Sequence, residues 1–80
     1  AAGYRLALLE AAGRVVSVAG FRLLENLAWG RFLYVDDLVS DGESRSRGHG
    51  ERLFAWLVAE ARREGCVELH LDSGVQRFDA

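Results

Sequence analysis

The stretch richest in chemistry runs from Leu38 to Glu51. It begins as an extended apolar run, passes through a polar loop bearing Arg45, Ser46, Arg47, Gly48, His49 and Gly50, and enters a segment with helical spacing at Glu51. That order builds an anion site. The first turn of a helix carries N–H groups with no intrahelical acceptor, together with the positive end of the helix dipole. Glycines lack the Cβ that would hold a phosphate away from the backbone. Arg45 and Arg47 ahead of a helix start oppose the dipole, and a bound polyanion resolves that conflict. The plain alternative is that the arginines are solvated and the glycines only turn the chain. Just upstream, Asp36 and Asp37 are carboxylates able to hold an amine or accept its proton. As neighbours on a strand they are expected to point to opposite faces, so at most one serves a given site.

Other chemistries fit less well. A Walker loop needs G-x-x-x-x-G-K-[ST], and the chain has no lysine. A dinucleotide fingerprint would use Gly48 and Gly50 but meets Leu53 at its third glycine. Asp72 could imitate the ribose-binding acid, yet antiparallel strands upstream do not belong in that fold. His49, His70, Cys66 and Asp72 lack paired ligand spacing, so no metal is expected. Cys66 reads as a small buried hydrophobe, and Ser73 has no nucleophile elbow around it.

These residues need elements to position them. Tyr4, Leu6 and Leu8 alternate through residues 4–10, a first strand, and Ala11–Arg14 turns the chain. The run from Val15 is again extended, with Gly20 marking a bulge or bend. A turn at residues 28–31 leads to a third strand over 32–40. Three strands on short turns form an antiparallel meander. The period then changes: Leu53, Phe54, Leu57, Val58 and Ala61 make one apolar stripe of a helix over 51–64, with Gly65 at its end. Trp56 lies off that stripe. Residues 66–71 alternate as a strand that closes a parallel β-α-β unit, and the polar stretch from Asp72 is a candidate start of another helix. The fold class is α/β, a mixed sheet.

Composition agrees with one small domain. Half of the 80 residues are apolar and the formal charge is −2. A chain of this size buries only roughly 60% of its unfolded surface. Near-neutral charge argues against nucleic acid held by bulk electrostatics. No apolar run is long enough to cross a bilayer, so no membrane partner is expected. A single cysteine points to a reducing cytoplasm. The bias towards Ala, Gly, Arg, Val and Leu suggests GC-rich coding, and a bacterial source is expected. Unpaired strand edges on so small a core make a homodimer a further expectation.

Arg45-Ser46-Arg47-Gly48-His49-Gly50 fits R/Q-x-x-G-x-G/A, between a strand ending Asp36-Asp37-Leu38-Val39-Ser40 and a helix. In that placement it resembles the acetyl-CoA-binding motif of the GNAT superfamily of N-acetyltransferases, and the resemblance extends over nearly all of the chain. It implies direct acetyl transfer from acetyl-CoA to a primary amine of a small molecule or peptide. The amides from Ser46 to Glu51 would cradle the CoA pyrophosphate, with Arg45 and Arg47 close by. Leu38, Val39 and Ser40 would pair with the pantetheine arm where the strand splays from its parallel neighbour. An N–H near Leu38 or Val39 would polarise the acetyl carbonyl, and Asp36 would be the substrate-side acid. The chain departs from the family pattern at Gly42, where proline is usual, at Ser44, where an aromatic is usual, and at His49, where a small aliphatic is usual. Arg77 stands at the family's asparagine position. The family's tyrosine acid belongs to a helix after the parallel strand, and its first strand and two helices precede the equivalent of Tyr4. Residues 1–80 are therefore read as a single partial acetyltransferase domain, with a CoA-binding but catalytically incomplete domain, or a structural one, as the alternatives.

Overall fold

The computed structural model describes residues 4–28, 30–40 and 48–78. Three long strands, β1 (Tyr4–Ala11), β2 (Arg14–Asn26) and β3 (Gly30–Ser40), form the meander. Helix α1 (His49–Arg63) then crosses to a short strand β4 (Glu68–Leu71), which turns back into β5 (Gly74–Arg77). The sheet order is β1-β2-β3-β4-β5, antiparallel except where β3 and β4 run parallel. This is the mixed α+β sheet that the change of period predicts.

The core lies between the sheet and α1. Leu53, Leu57 and Ala61 from the helix pack on Ala19, Phe21, Leu33, Val35 and Leu69 from the central strands. Leu57, Leu33 and Leu69 are wholly buried. Each fully buried side chain of this size contributes about 1.5–3 kcal/mol, and the helix stripe supplies that apolar face at positions i, i+4 and i+8. The other sheet face is open: Leu6 and Leu8 on β1 are more than half exposed. Trp56 sits beside the stripe, edge-on to Phe21 with ring centres 6.1 Å apart.

Both ends of α1 differ in how they close. At the C-terminus Gly65 takes a left-handed φ of 79°, its N–H reaching Arg62 O while Cys66 N–H reaches Ala61 O. Those two bonds make a Schellman cap that draws Cys66 into the core. Strand β4 consequently starts at Glu68, two residues later than alternation alone suggests. The tail from Asp72 is not helical among the described residues. A two-residue turn at Asp72–Ser73 pairs Leu71 with Gly74. Arg77 Nε meets Glu68 Oε2 at 2.9 Å, and Phe78 N–H bonds Val67 O, holding β5 on the edge.

Candidate functional site

The start of α1 is led by a glycine and lacks a side-chain cap among the described residues. That N-cap, Gly48, has φ 73°, a conformation that an L side chain adopts only with strain. The first helical bond is Arg52 N–H to Gly48 O. The N–H groups of His49, Gly50 and Glu51 therefore have no intrahelical acceptor. His49 Nδ1 is likewise enclosed without a hydrogen-bond partner. Gly50 has a separate reason to be glycine, since a Cβ there would lie 2.8 Å from Ser40 Oγ. The helix start thus lies directly against the end of β3. Ser40 Oγ is itself bonded to Ser17 Oγ at 2.8 Å, and Ser17 is buried.

Between these parts lies a cleft of about 370 Å³ lined by Leu38, Ser40, Gly48, Gly50, Glu51 and Phe54. It runs into the unpaired edge of β3. Parallel pairing with β4 covers only Phe32, Leu33 and Tyr34, and ends at the Tyr34–His70 pair. Residues 35–40 pair with β2 on their other side, and no described strand pairs with them on the β4 side. The strands part as expected, and Leu38 and Ser40 line the cleft there, while Val39 is exposed. Arg45, Ser46 and Arg47 lie outside the described residues.

The two aspartates do not behave as simple alternation predicts. The register shifts at Gly20/Phe21, so Gly20 faces Asp37 while Phe21 faces Val35, and Asp36 is the extra residue of a β-bulge. A bulge resets the alternation. Asp37 stands opposite Gly20, whose missing Cβ would meet Tyr4 and Leu6 on the open sheet face. Asp36 bonds Arg22 on that same face, so both acids lie there, and the expectation of opposite faces is corrected. The Asp36 carboxylate takes Arg22 Nε and Nη2 at 2.9 Å each. This bond, with the carboxylate's charge, raises the Arg22 pKa further. The Arg22 guanidinium also lies 5.3 Å from the Tyr34 ring centre.

The model of the Acetyltransferase (GNAT) family matches residues 1–79. The chain belongs to the GNAT acetyltransferase family. Within it, the chain is similar to an uncharacterized N-acetyltransferase, YhdJ, of Bacillus subtilis (strain 168), 39% identical over 51 residues. That alignment covers 64% of this chain and 36% of YhdJ. Among solved structures, a GNAT family acetyltransferase from Staphylococcus aureus matches all of this chain and 64% of its own, with TM-score 0.84 at 22% identity. A Trypanosoma brucei acetyltransferase matches 89% of this chain and 53% of its own, with TM-score 0.76 at 27% identity. The chain spans about a third of the curated relative and half to two thirds of the solved ones. Both structural matches share this fold over the parts they cover.

In this GNAT domain one cleft is lined both by the glycine-led helix start and by Leu38 and Ser40 on the unpaired end of β3. The residues fit a CoA diphosphate. Three amides without an intrahelical acceptor stand at the positive end of a 15-residue helix, and the glycines leave the approach clear. Glu51 offers its amide, while its carboxylate complements the dipole. Two polar groups escaped the sequence reading. Tyr34 donates from its hydroxyl to Asp72 Oδ1 at 2.9 Å, and His70 Nε2 lies 2.8 Å from Glu68 Oε1. The Tyr34–Asp72 pair depends on the parallel register, which period-two patterning does not contain, whereas Glu68 and His70 are two apart on β4 and their pairing is legible from alternation. Cys66 is buried as expected, and burial pushes its thiol pKa up. No described helix is long and apolar enough to cross a membrane.

Proposed function

We propose that this protein transfers an acetyl group from acetyl-CoA to a primary amine by direct attack on the thioester. The observation that carries this is the uncapped, glycine-led start of α1 opening onto a cleft continuous with the unpaired edge of β3. The amides of His49, Gly50 and Glu51, with Gly48 clearing the approach, hold the diphosphate. Arg45, Ser46 and Arg47 precede them in the chain and complete the loop. Leu38, Val39 and Ser40 offer the free strand edge to the amide-bearing pantetheine arm, much as an added strand pairs. A backbone N–H at Leu38 or Val39 polarises the acetyl carbonyl, where charge develops as the amine attacks. Asp36 serves the acceptor side as an ion pair with Arg22, and Asp37 adds negative charge to the same face. The acceptor is a small-molecule amine or a peptide, and the setting is the cytoplasm. The free edge of β1, with Leu6 and Leu8 beside it, supports pairing with a second copy.

Thermal unfolding of the intact protein with CoA, NAD and ATP tests the cofactor, and thiol release from acetyl-CoA with an amine panel tests turnover. CoA should raise the melting temperature with concentration as linkage requires, and amines should release thiol. Equal stabilisation by all three nucleotides would sink the CoA assignment. CoA-specific stabilisation without thiol release would leave a binding domain.

A further inference from the structure

Tyr34 and His70 form the last register pair of the parallel strands. Their neighbours Leu33 and Leu69 are wholly buried under α1, so this pair belongs to the opposite, open face. Just past it, where β3 and β4 part, the Tyr34 hydroxyl reaches across to Asp72 Oδ1 at 2.9 Å. A single hydrogen bond therefore spans the narrow end of the gap. Two other carboxylates on this face, Asp36 and Glu68, are already matched. Asp36 is held by Arg22 through both oxygens. His70 Nε2 meets Glu68, which also takes Arg77 Nε. The Tyr34–Asp72 pair differs in being a neutral donor on a carboxylate, one residue past the end of β4.

We propose that Asp72, acting through the Tyr34 hydroxyl, receives the proton that the acceptor amine loses. The proposal rests on the acetyltransferase reading above and names the proton path of that same site. From the level of Asp36 to Leu38 is two residues, about 7 Å of strand. That span accommodates an amine between the Tyr34 hydroxyl and a carbonyl polarised near Leu38. The ammonium gives one proton to Tyr34 Oη as the Tyr34 hydroxyl proton passes to Asp72. The freed lone pair forms the C–N bond to the acetyl carbon. The C–S bond breaks, and the second proton lost from nitrogen goes to the departing sulfur, giving amide, free thiol and protonated Asp72. Protons balance with no further reactant. The hydrogen bond to Asp72, and its charge, hold the Tyr34 pKa above its ordinary value near 10. Tyr34 thus stays a hydroxyl that hands a proton on and does not become a phenolate.

The test is acetyl transfer by the intact protein to propylamine, phenethylamine and Nα-acetyl-lysine across pH, for wild type, Asp72→Asn and Tyr34→Phe. Asparagine keeps an acceptor oxygen for Tyr34 but takes no proton. Asp72→Asn should lower kcat about 100-fold or more, leave the KM for acetyl-CoA within twofold, and abolish the fall in rate on the acid side. Tyr34→Phe should lower kcat with the same unchanged KM, and it is an independent check should the Asn variant fold poorly. If wild type turns over and both variants do so within threefold, with the acid limb intact, the relay is overturned while the transferase reading stands. If wild type releases no thiol from acetyl-CoA with any of the amines, the transferase reading falls and the relay with it.

Discussion

Replacing Gly50 by alanine separates the geometry of the cleft from the stability of the fold. The new Cβ would stand 2.8 Å from Ser40 Oγ and 3.8 Å from Ser40 Cβ. Only the hydroxyl has to move, and rotating it away releases its bond to the buried Ser17 hydroxyl. Leaving that buried group unpaired costs about 1–3 kcal/mol. Alanine in place of a helical glycine returns up to about 1 kcal/mol. The net loss is about 1 kcal/mol, a fall of roughly 4–8 °C in melting temperature for a domain of this size. Binding should suffer more. The methyl occupies the space between helix start and strand end that the diphosphate needs. Losing one charge-assisted amide contact costs about 1.5–3 kcal/mol, which is at least tenfold in Kd. Isothermal titration with CoA, run beside thermal unfolding, reads both quantities. Adding Ser17→Ala and Ser40→Ala together to Gly50→Ala should restore stability, because the crowding and the unpaired hydroxyl both go, and leave affinity low. A Gly50→Ala protein that binds CoA within twofold of wild type would refute the placement of the diphosphate.

Other perturbations have clear signs. Gly48→Ala keeps open space around the new Cβ but forces alanine to φ 73°; stability should fall by about 1–2 kcal/mol, and chemical denaturation measures it, with Gly48→Asn recovering part of the loss. Leu57→Ala empties a wholly buried site between helix and sheet and should cost about 2–5 kcal/mol by the same assay. Absorbance titration of the tyrosines should show one ionising above the ordinary range and returning towards it in Asp72→Asn. Because the folded state binds that proton more tightly than the unfolded chain, its contribution to stability is whole below pH 10 and is lost as pH rises through the raised value; unfolding free energies measured between pH 8 and 12 test the sign.

Patterning carried the meander, the crossover helix and the parallel strand, because periods of two and 3.6 differ clearly in Tyr4–Leu8 and Leu53–Ala61. Glycines carried the site. Gly48 and Gly50 matter for what they lack, and that is legible without coordinates. The errors arose where tertiary structure overrides local pattern. The bulge signalled by Gly20 falls its extra residue on β3, at Asp36, and this places both aspartates on one face. The polar tail after Leu71 has no helix periodicity to oppose a hairpin, and the Arg77–Glu68 pair with the Phe78–Val67 bond fixes it as a strand. Tyr34 and Asp72 stand 38 residues apart in the chain. Only the register of two parallel strands brings them together, and no local spacing encodes it.

Acetyl transfer by this fold requires main-chain nitrogens at the start of α1 to bind a diphosphate. Amide-resolved NMR titration of the intact protein with CoA observes those nitrogens directly. The largest shifts should fall on His49, Gly50 and Glu51, with Leu38–Ser40 following as the arm of the cofactor pairs along β3. Saturable CoA binding that leaves those three amides unmoved would contradict the account.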